Sequence, residues 1–206
     1  HDKLVAEYAI VDPDLLASCP PGVIAANGMD AITQLLESYV STRSSAFTDA
    51  LAISGLQAAR DALMPLYRQQ GELAGHREKM AYAALLSGIT LAQAGLGSVH
   101  GLASPLGAFY PIPHGAVCGT LVAAATQVNI EALLAREPNN QALAKYLHVA
   151  EILCEKRFID PAAAFSALTD RLARWTDELN LPRLSHYGLQ PDGLNKVIAN
   201  CRGNSM

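Results

Sequence analysis

The sequence predicts an all-α fold, on three observations. Half of its residues are apolar, with Ala very frequent and aromatics only 6%. Alternating β-branched stretches, the mark of strands, are nearly absent. Apolar residues recur instead at three and four, the period of a helix with one buried face. At 206 residues the chain suits one domain long enough to bury a sizeable core.

In chain order, the apolar run 8–11 (YAIV) reads as one short strand, followed by a brief turn or helix at Leu15 and Leu16. Pro20, Pro21 and Gly22 break the chain before a helix that begins at about Val23 or Asn27 and ends at Val40. Its Ile32, Leu35, Leu36 and Tyr39 form the apolar face, with Asp30, Gln34 and Glu37 on the neighbouring stripe. Ser44 or Ser45 caps a second helix reaching about Gln70 before Gly71, with Phe47, Leu51, Leu56, Leu63 and Leu66 on its buried side. From His76 a third helix passes through Met80, Leu85, Leu86 and Ile89; apolar nearly all round, it is expected to be buried on every side.

Gly95 and Gly97 end that helix, and Ser98 is placed to cap a short one that carries His100 and is kinked or ended near Pro105. Pro113 suits the first position of the next helix, which puts His114 in its first turn and its end near Val128. Two amphipathic helices follow, over about 140–156 and from Asp160-Pro161 to Pro182, the second with Phe165, Leu168, Leu172, Trp175 and Leu179 inside. A last short helix covers 192–200.

The stretch 80–130 organises the chain. Its fifty-one residues contain no Asp, Glu, Lys or Arg, and His100 and His114 are its only imidazoles. Glycines and prolines cut it too often for the ~20 apolar residues of a membrane span. It reads as protein interior, where ionisable groups call for a reason. Asp30 and Gln34 lie four apart, one turn above the other on an earlier helix. Asp, His and His from three segments are a plausible set for a divalent metal.

Composition narrows the partners. A net charge of −4, a pI near 5.8 and no basic cluster argue against nucleic acid. Cys19, Cys118, Cys154 and Cys201 form no C-x-x-C, so neither a zinc ribbon nor a dense disulfide framework is expected, and a reducing cytoplasm fits. No apolar leader follows His1, and no membrane partner is expected. No G-x-G-x-x-G or G-x-S-x-G is present.

The segments 28–37 (GMDAITQLLE), 97–107 (GSVHGLASPLG) and Pro113-His114-Gly115, with Ile10-Val11-Asp12-Pro13 ahead of them, resemble the iron-containing (group III) alcohol dehydrogenases over nearly the whole chain. That resemblance implies an NAD(P)-dependent oxidoreductase interconverting an alcohol and an aldehyde or ketone. It also implies a dehydroquinate synthase-like fold, of which residues 1–206 are the C-terminal helical metal and substrate domain. The N-terminal nucleotide-binding domain that holds NAD or NADP, and a segment beyond Met206, are expected outside this chain, so the chain alone should not turn over. The family's metal ligands fall on Asp30, Gln34, His100 and His114, with Fe²⁺ first and Zn²⁺ second as the ion, and His100 and His114 are also the catalytic candidates. Gln34 departs from the family, where a His stands, and a neutral amide is a weaker donor. Ser104 departs too, standing where many relatives carry another His.

The resemblance implies a small alcohol or aldehyde as substrate, and the large apolar inventory points to a homo-oligomer such as a dimer. A metal-free reductase similar to maleylacetate reductases is the alternative, with the two imidazoles polarising a carbonyl or donating a proton. A helical interaction module with structural histidines is the alternative from another class, drawing on the large apolar inventory.

Overall fold

The computed structural model describes residues 6–201, which form eight α-helices, three short 3-10 turns and no strand. The helices are α1 (Pro21–Val40), α2 (Ala46–Tyr67), α3 (Leu73–Ala94), α4 (Ser98–Phe109), α5 (His114–Arg136), α6 (Gln141–Cys154), α7 (Pro161–Glu178) and α8 (Leu194–Asn200). The first and last five residues, including His1 and the tail from Gly203, lie outside the described residues.

No strand forms at 8–11. Tyr8 and Ile10 are exposed, and an isolated run has no neighbour to complete a ladder. The turn at Leu15 and Leu16 is a 3-10 turn, Pro13–Ser18.

α1 is the central helix, packed against α2, α3, α5 and α6. It starts at Pro21, earlier than expected, because proline is tolerated at the first helical position, where the missing N–H has no partner to lose. Met29, Ile32 and Leu35 are fully buried. Ser45 caps α2 through a box in which its side chain accepts from the Thr48 N–H and the Thr48 hydroxyl accepts from the Ser45 N–H. α2 buries Thr48, Ala52, Leu56, Ala59 and Leu63 in one line; Phe47 lies off that line and is exposed, against expectation. Lys145 of α6 donates to the Tyr39 carbonyl, Ser44 and Asp49, tying the end of α1 and the start of α2 together.

α3 starts at Leu73, capped by the Glu72 carboxylate, and is not buried on every side. Tyr82, Leu85 and Ile89, spaced at three and four, form an exposed stripe among the described residues. At its other end the chain bends by 101° into α4. Gly95 there adopts a φ of 73°, a conformation that glycine takes without steric cost. Ser38 and Ser41 of α1 donate to the carbonyls of Gly95 and Ala94, which fixes the bend against α1.

Ser98 is the first residue of α4, not its cap; the cap is Gly97, which offers no side chain. Pro105 sits inside α4 without ending it. Pro113 is the cap of α5 and His114 its first residue, one position from the expectation. α5 runs to Arg136, past 128, because Glu131 and Arg136 simply occupy its exposed side. Contrary to the sequence reading, α5 is long and apolar enough to cross a membrane by length and composition, and α3 with α4 would qualify jointly but for their bend. In the fold α5 packs against α1, α4 and α7.

α7 matches expectation, with Asp160 capping, Pro161 first and Leu168, Leu172 and Trp175 inside. The core has two parts. The larger joins α1, α2, α3, α6 and α7 with Val122 and Ile130 of α5; the smaller joins α4, the start of α5 and α8 through Val99, Leu106, Val117, Cys118 and Val197. α1 and α5 meet between them at two glycines one turn apart. A Cβ on Gly115 would lie 2.5 Å from the Ala26 carbonyl oxygen, and one on Gly119 2.8 Å from Met29 Cβ. This contact sets Asp30, next to Met29, against the first turns of α5.

Gly115→Ala is therefore expected to cost about 1–3 kcal/mol, the range for overpacking, because backbone must move. Gly88→Ala, in open space within α3, should gain about 0.5–1 kcal/mol. Urea denaturation of the two variants measures both; equal effects would contradict the close α1–α5 contact.

Candidate metal centre

Three helices deliver the candidate residues. α1 carries Asp30, Gln34 and Glu37 over two turns. α4 carries His100 in its first turn and α5 carries His114 as its first residue. The structure brings Asp30, His100 and His114 together, and adds Cys118, one turn beyond His114; one donor atom from each of the four lies within 4.8 Å of all the others. Asp30 Oδ1 is 3.1 Å from His100 Nε2 and 3.6 Å from His114 Nε2. The two rings stand 5.3 Å apart, tilted by 51°.

Behind this group lies Glu37, whose side chain is only 2% exposed. Its Oε2 is 2.7 Å from His100 Nδ1, and its Oε1 accepts the Val99 N–H at 2.7 Å. The second bond satisfies one of the free N–H groups at the start of α4, a place where the helix dipole also favours negative charge. The first holds the His100 ring so that Nε2 faces Asp30, the arrangement by which a carboxylate orients a metal-binding imidazole.

Gln34 is held differently. Its amide nitrogen donates to Asp30 Oδ2 at 3.3 Å, so it supports Asp30 from the next turn. Ser104 is exposed, one turn beyond His100 on α4. His114 is the open edge of the group, its side chain 52% exposed, against 10% for His100.

The charges account for the ionisation. Burial alone would lower the pKa of His100, but the hydrogen bonds to Asp30 and Glu37 and their negative charges outweigh it and raise it from 6.5 to about 9. Burial would raise Asp30, but hydrogen bonds from His100 and Cys118 and the nearby imidazoles bring it below the ordinary 3.8. Two carboxylates thus sit in a largely uncharged interior and draw a cation towards them. The donors suit one: bonds of about 2.0–2.2 Å from nitrogen and oxygen to a tetrahedral ion put donor atoms about 3.3–3.6 Å apart, close to the spacings around Asp30.

Glu37 and Cys118 are the members of this group that sequence reasoning misses. Glu37 lies on the stripe of Asp30 with no partner visible in the sequence, and Cys118 has no C-x-x-C mate. The i, i+4 step from His114 to Cys118 is the available signal, the same spacing as Asp30 and Gln34.

The Fe-containing alcohol dehydrogenase family, C-terminal, matches residues 24–202. The 1-propanol dehydrogenase of Citrobacter freundii is 38% identical over 165 residues, 79% of this chain and 42% of that protein. The NAD-dependent methanol dehydrogenase of Bacillus methanolicus is 31% identical over 201 residues, 97% of this chain and 50% of that protein. The crystal structure of a 1,3-propanediol oxidoreductase superposes with a TM-score of 0.82 at 28% identity, over 92% of this chain and 47% of that one. The chain therefore spans half or less of the length of these relatives.

Removing Glu37 strands a buried imidazole and a helix N–H. Glu37→Ala should cost about 3–5 kcal/mol, the range for breaking a buried pair, and Glu37→Gln, which keeps an acceptor, clearly less. Denaturant melts decide, and equal costs would mean that the carboxylate only fills space.

In chelator-treated protein the His100 pKa is higher folded than unfolded. Its stabilisation is therefore complete below about pH 6.5 and lost as pH rises through about 9. Asp30→Asn should move that loss to lower pH. An NMR titration of His100 with melts at several pH values tests it; a His100 midpoint near 6.5 in the natural protein would refute it.

Proposed function

The chain belongs to the iron-containing alcohol dehydrogenase family, and on that premise we propose that it forms the metal- and substrate-binding helical part of an NAD(P)-dependent oxidoreductase. The proposed reaction interconverts a small alcohol and its aldehyde or ketone. The observation that carries this reading is the convergence of Asp30, His100 and His114 from three helices onto one point. The relatives support the substrate class: one is named for 1-propanol, another for methanol and NAD. The nucleotide is assigned to a companion domain, in keeping with the share of the relatives that this chain spans.

When bound, a divalent ion at these donors supplies Lewis-acid polarisation of the substrate oxygen. The residues of this chain prepare that chemistry. Asp30 brings the negative charge that attracts the cation, and Gln34 steadies the carboxylate from the next turn. Glu37 keeps the His100 ring in the orientation that presents Nε2, so the centre is preorganised. His114, at the exposed edge, is the side from which an alcohol enters. Ser104, exposed one turn beyond His100 on α4, is the hydroxyl proposed to pass a proton to solvent. On the inner side, around Glu37 and His100, burial keeps water away and strengthens the charge interactions there.

The enzyme that contains this chain should hold about one equivalent of divalent metal and lose alcohol oxidation when a chelator removes it. His100→Ala should lower kcat/KM by about a thousandfold or more, the equivalent of several kcal/mol of charge stabilisation. Elemental analysis alongside NAD(P)H formation checks both. Full turnover in a metal-free preparation would replace this reading with metal-independent reduction by the two imidazoles.

A further inference from the structure

We infer that Cys118 is a ligand in this centre, supplying as a thiolate the fourth donor that Gln34 does not. The inference rests on the metal reading above and adds a donor to it. Three observations carry it. Cys118 is completely buried, in the second turn of α5, on the face that also carries His114. Its Sγ is 3.6 Å from His100 Nε2 and 3.6 Å from His114 Nε2, equidistant from the two imidazoles. With bonds of about 2.0–2.1 Å to nitrogen and about 2.3 Å to sulfur, a tetrahedral ion separates N and S by about 3.5–3.6 Å. Four of the six edges of a tetrahedron formed with Asp30, His100 and His114 thus lie between 3.1 and 3.6 Å, and the other two are within 4.8 Å.

Gln34 is the weaker claimant. A neutral amide oxygen suits hard ions such as Mg²⁺ or Ca²⁺ better than first-row transition metals, and its nitrogen is already engaged with Asp30. The buried thiol lies beside the Asp30 carboxylate and between the two imidazoles. To serve as a donor the thiol would release its proton to solvent on metal binding. Two negative donors, Asp30 and Cys118, then neutralise a divalent charge. The thiolate softens the donor set and moves its preference from Fe²⁺ towards Zn²⁺ and Co²⁺. The half-exposed His114 would leave that side of the centre open to a substrate oxygen.

The test uses Co²⁺ as the probe. The purified protein is stripped with chelator, titrated with Co²⁺ by equilibrium dialysis and followed by absorption spectroscopy, alongside Cys118→Ser and Cys118→Ala checked for folding by circular dichroism. The expected result is one Co²⁺ per chain with a near-ultraviolet thiolate-to-cobalt charge-transfer band. Both variants should lose the band and bind Co²⁺ weaker by at least the ~10–100-fold that loss of even an outer-shell partner costs. One bound Co²⁺ without the band in the natural protein would overturn the role of Cys118 and leave the metal reading standing. No Co²⁺ bound at all would overturn both. Because the band is read on the natural protein, the outcome stands even where a variant fails to fold.

Discussion

The fold depends most on a carboxylate that never reaches solvent. Glu37, on the central helix, bonds at once to the first turn of α4 and to the ring of His100. Burying such a group is costly unless its oxygens are used, and here both are. The helix it stabilises has no capping side chain of its own, since Gly97 occupies the cap. The short helix that bears His100 is therefore anchored through α1, and one side chain fixes both the orientation of the imidazole and the start of the helix.

Two further constraints converge on the same place. Ser38 and Ser41 hold the end of α3, so the sharp bend into α4 cannot drift from α1. On the other side, Gly115 and Gly119 let α5 approach until backbone meets backbone. With α1 as the common partner, a displacement of α4 or α5 would be felt at Asp30. The candidate ligands are thus carried on three helices rather than on loops, which favours precise placement.

Much of this is legible in the residues. The helices show in apolar spacing, in the Ser45 and Asp160 caps and in the glycine and proline breaks, and the charge-free stretch marks the two imidazoles as unusual. The gathering of Asp30, His100 and His114 is expected from the resemblance of three local motifs, 28–37, 97–107 and 113–115, to one family. What escapes is set by depth and crossing angle. Cys118 looks like packing because its partners arrive from α1 and α4, and Glu37 looks like part of a polar stripe because nothing local says that α4 lies over it. The exposed stripe on α3 escapes for a related reason: an uncharged composition permits burial on all sides but does not supply a neighbour for each of them.

Exposure around the proposed centre is uneven, and the unevenness separates two properties that are often treated together. Asp30, His100 and Cys118 lie well inside the protein, whereas His114 borders solvent. The inner three would set how strongly an ion is held. The time for which it stays would depend on one side chain at the rim, because turning that ring aside opens the shortest route out. A substitution near His114 that leaves its ring intact could therefore change residence time while equilibrium affinity barely moves, and a slow or fast exchange of metal would report on a surface rotation and not on the core.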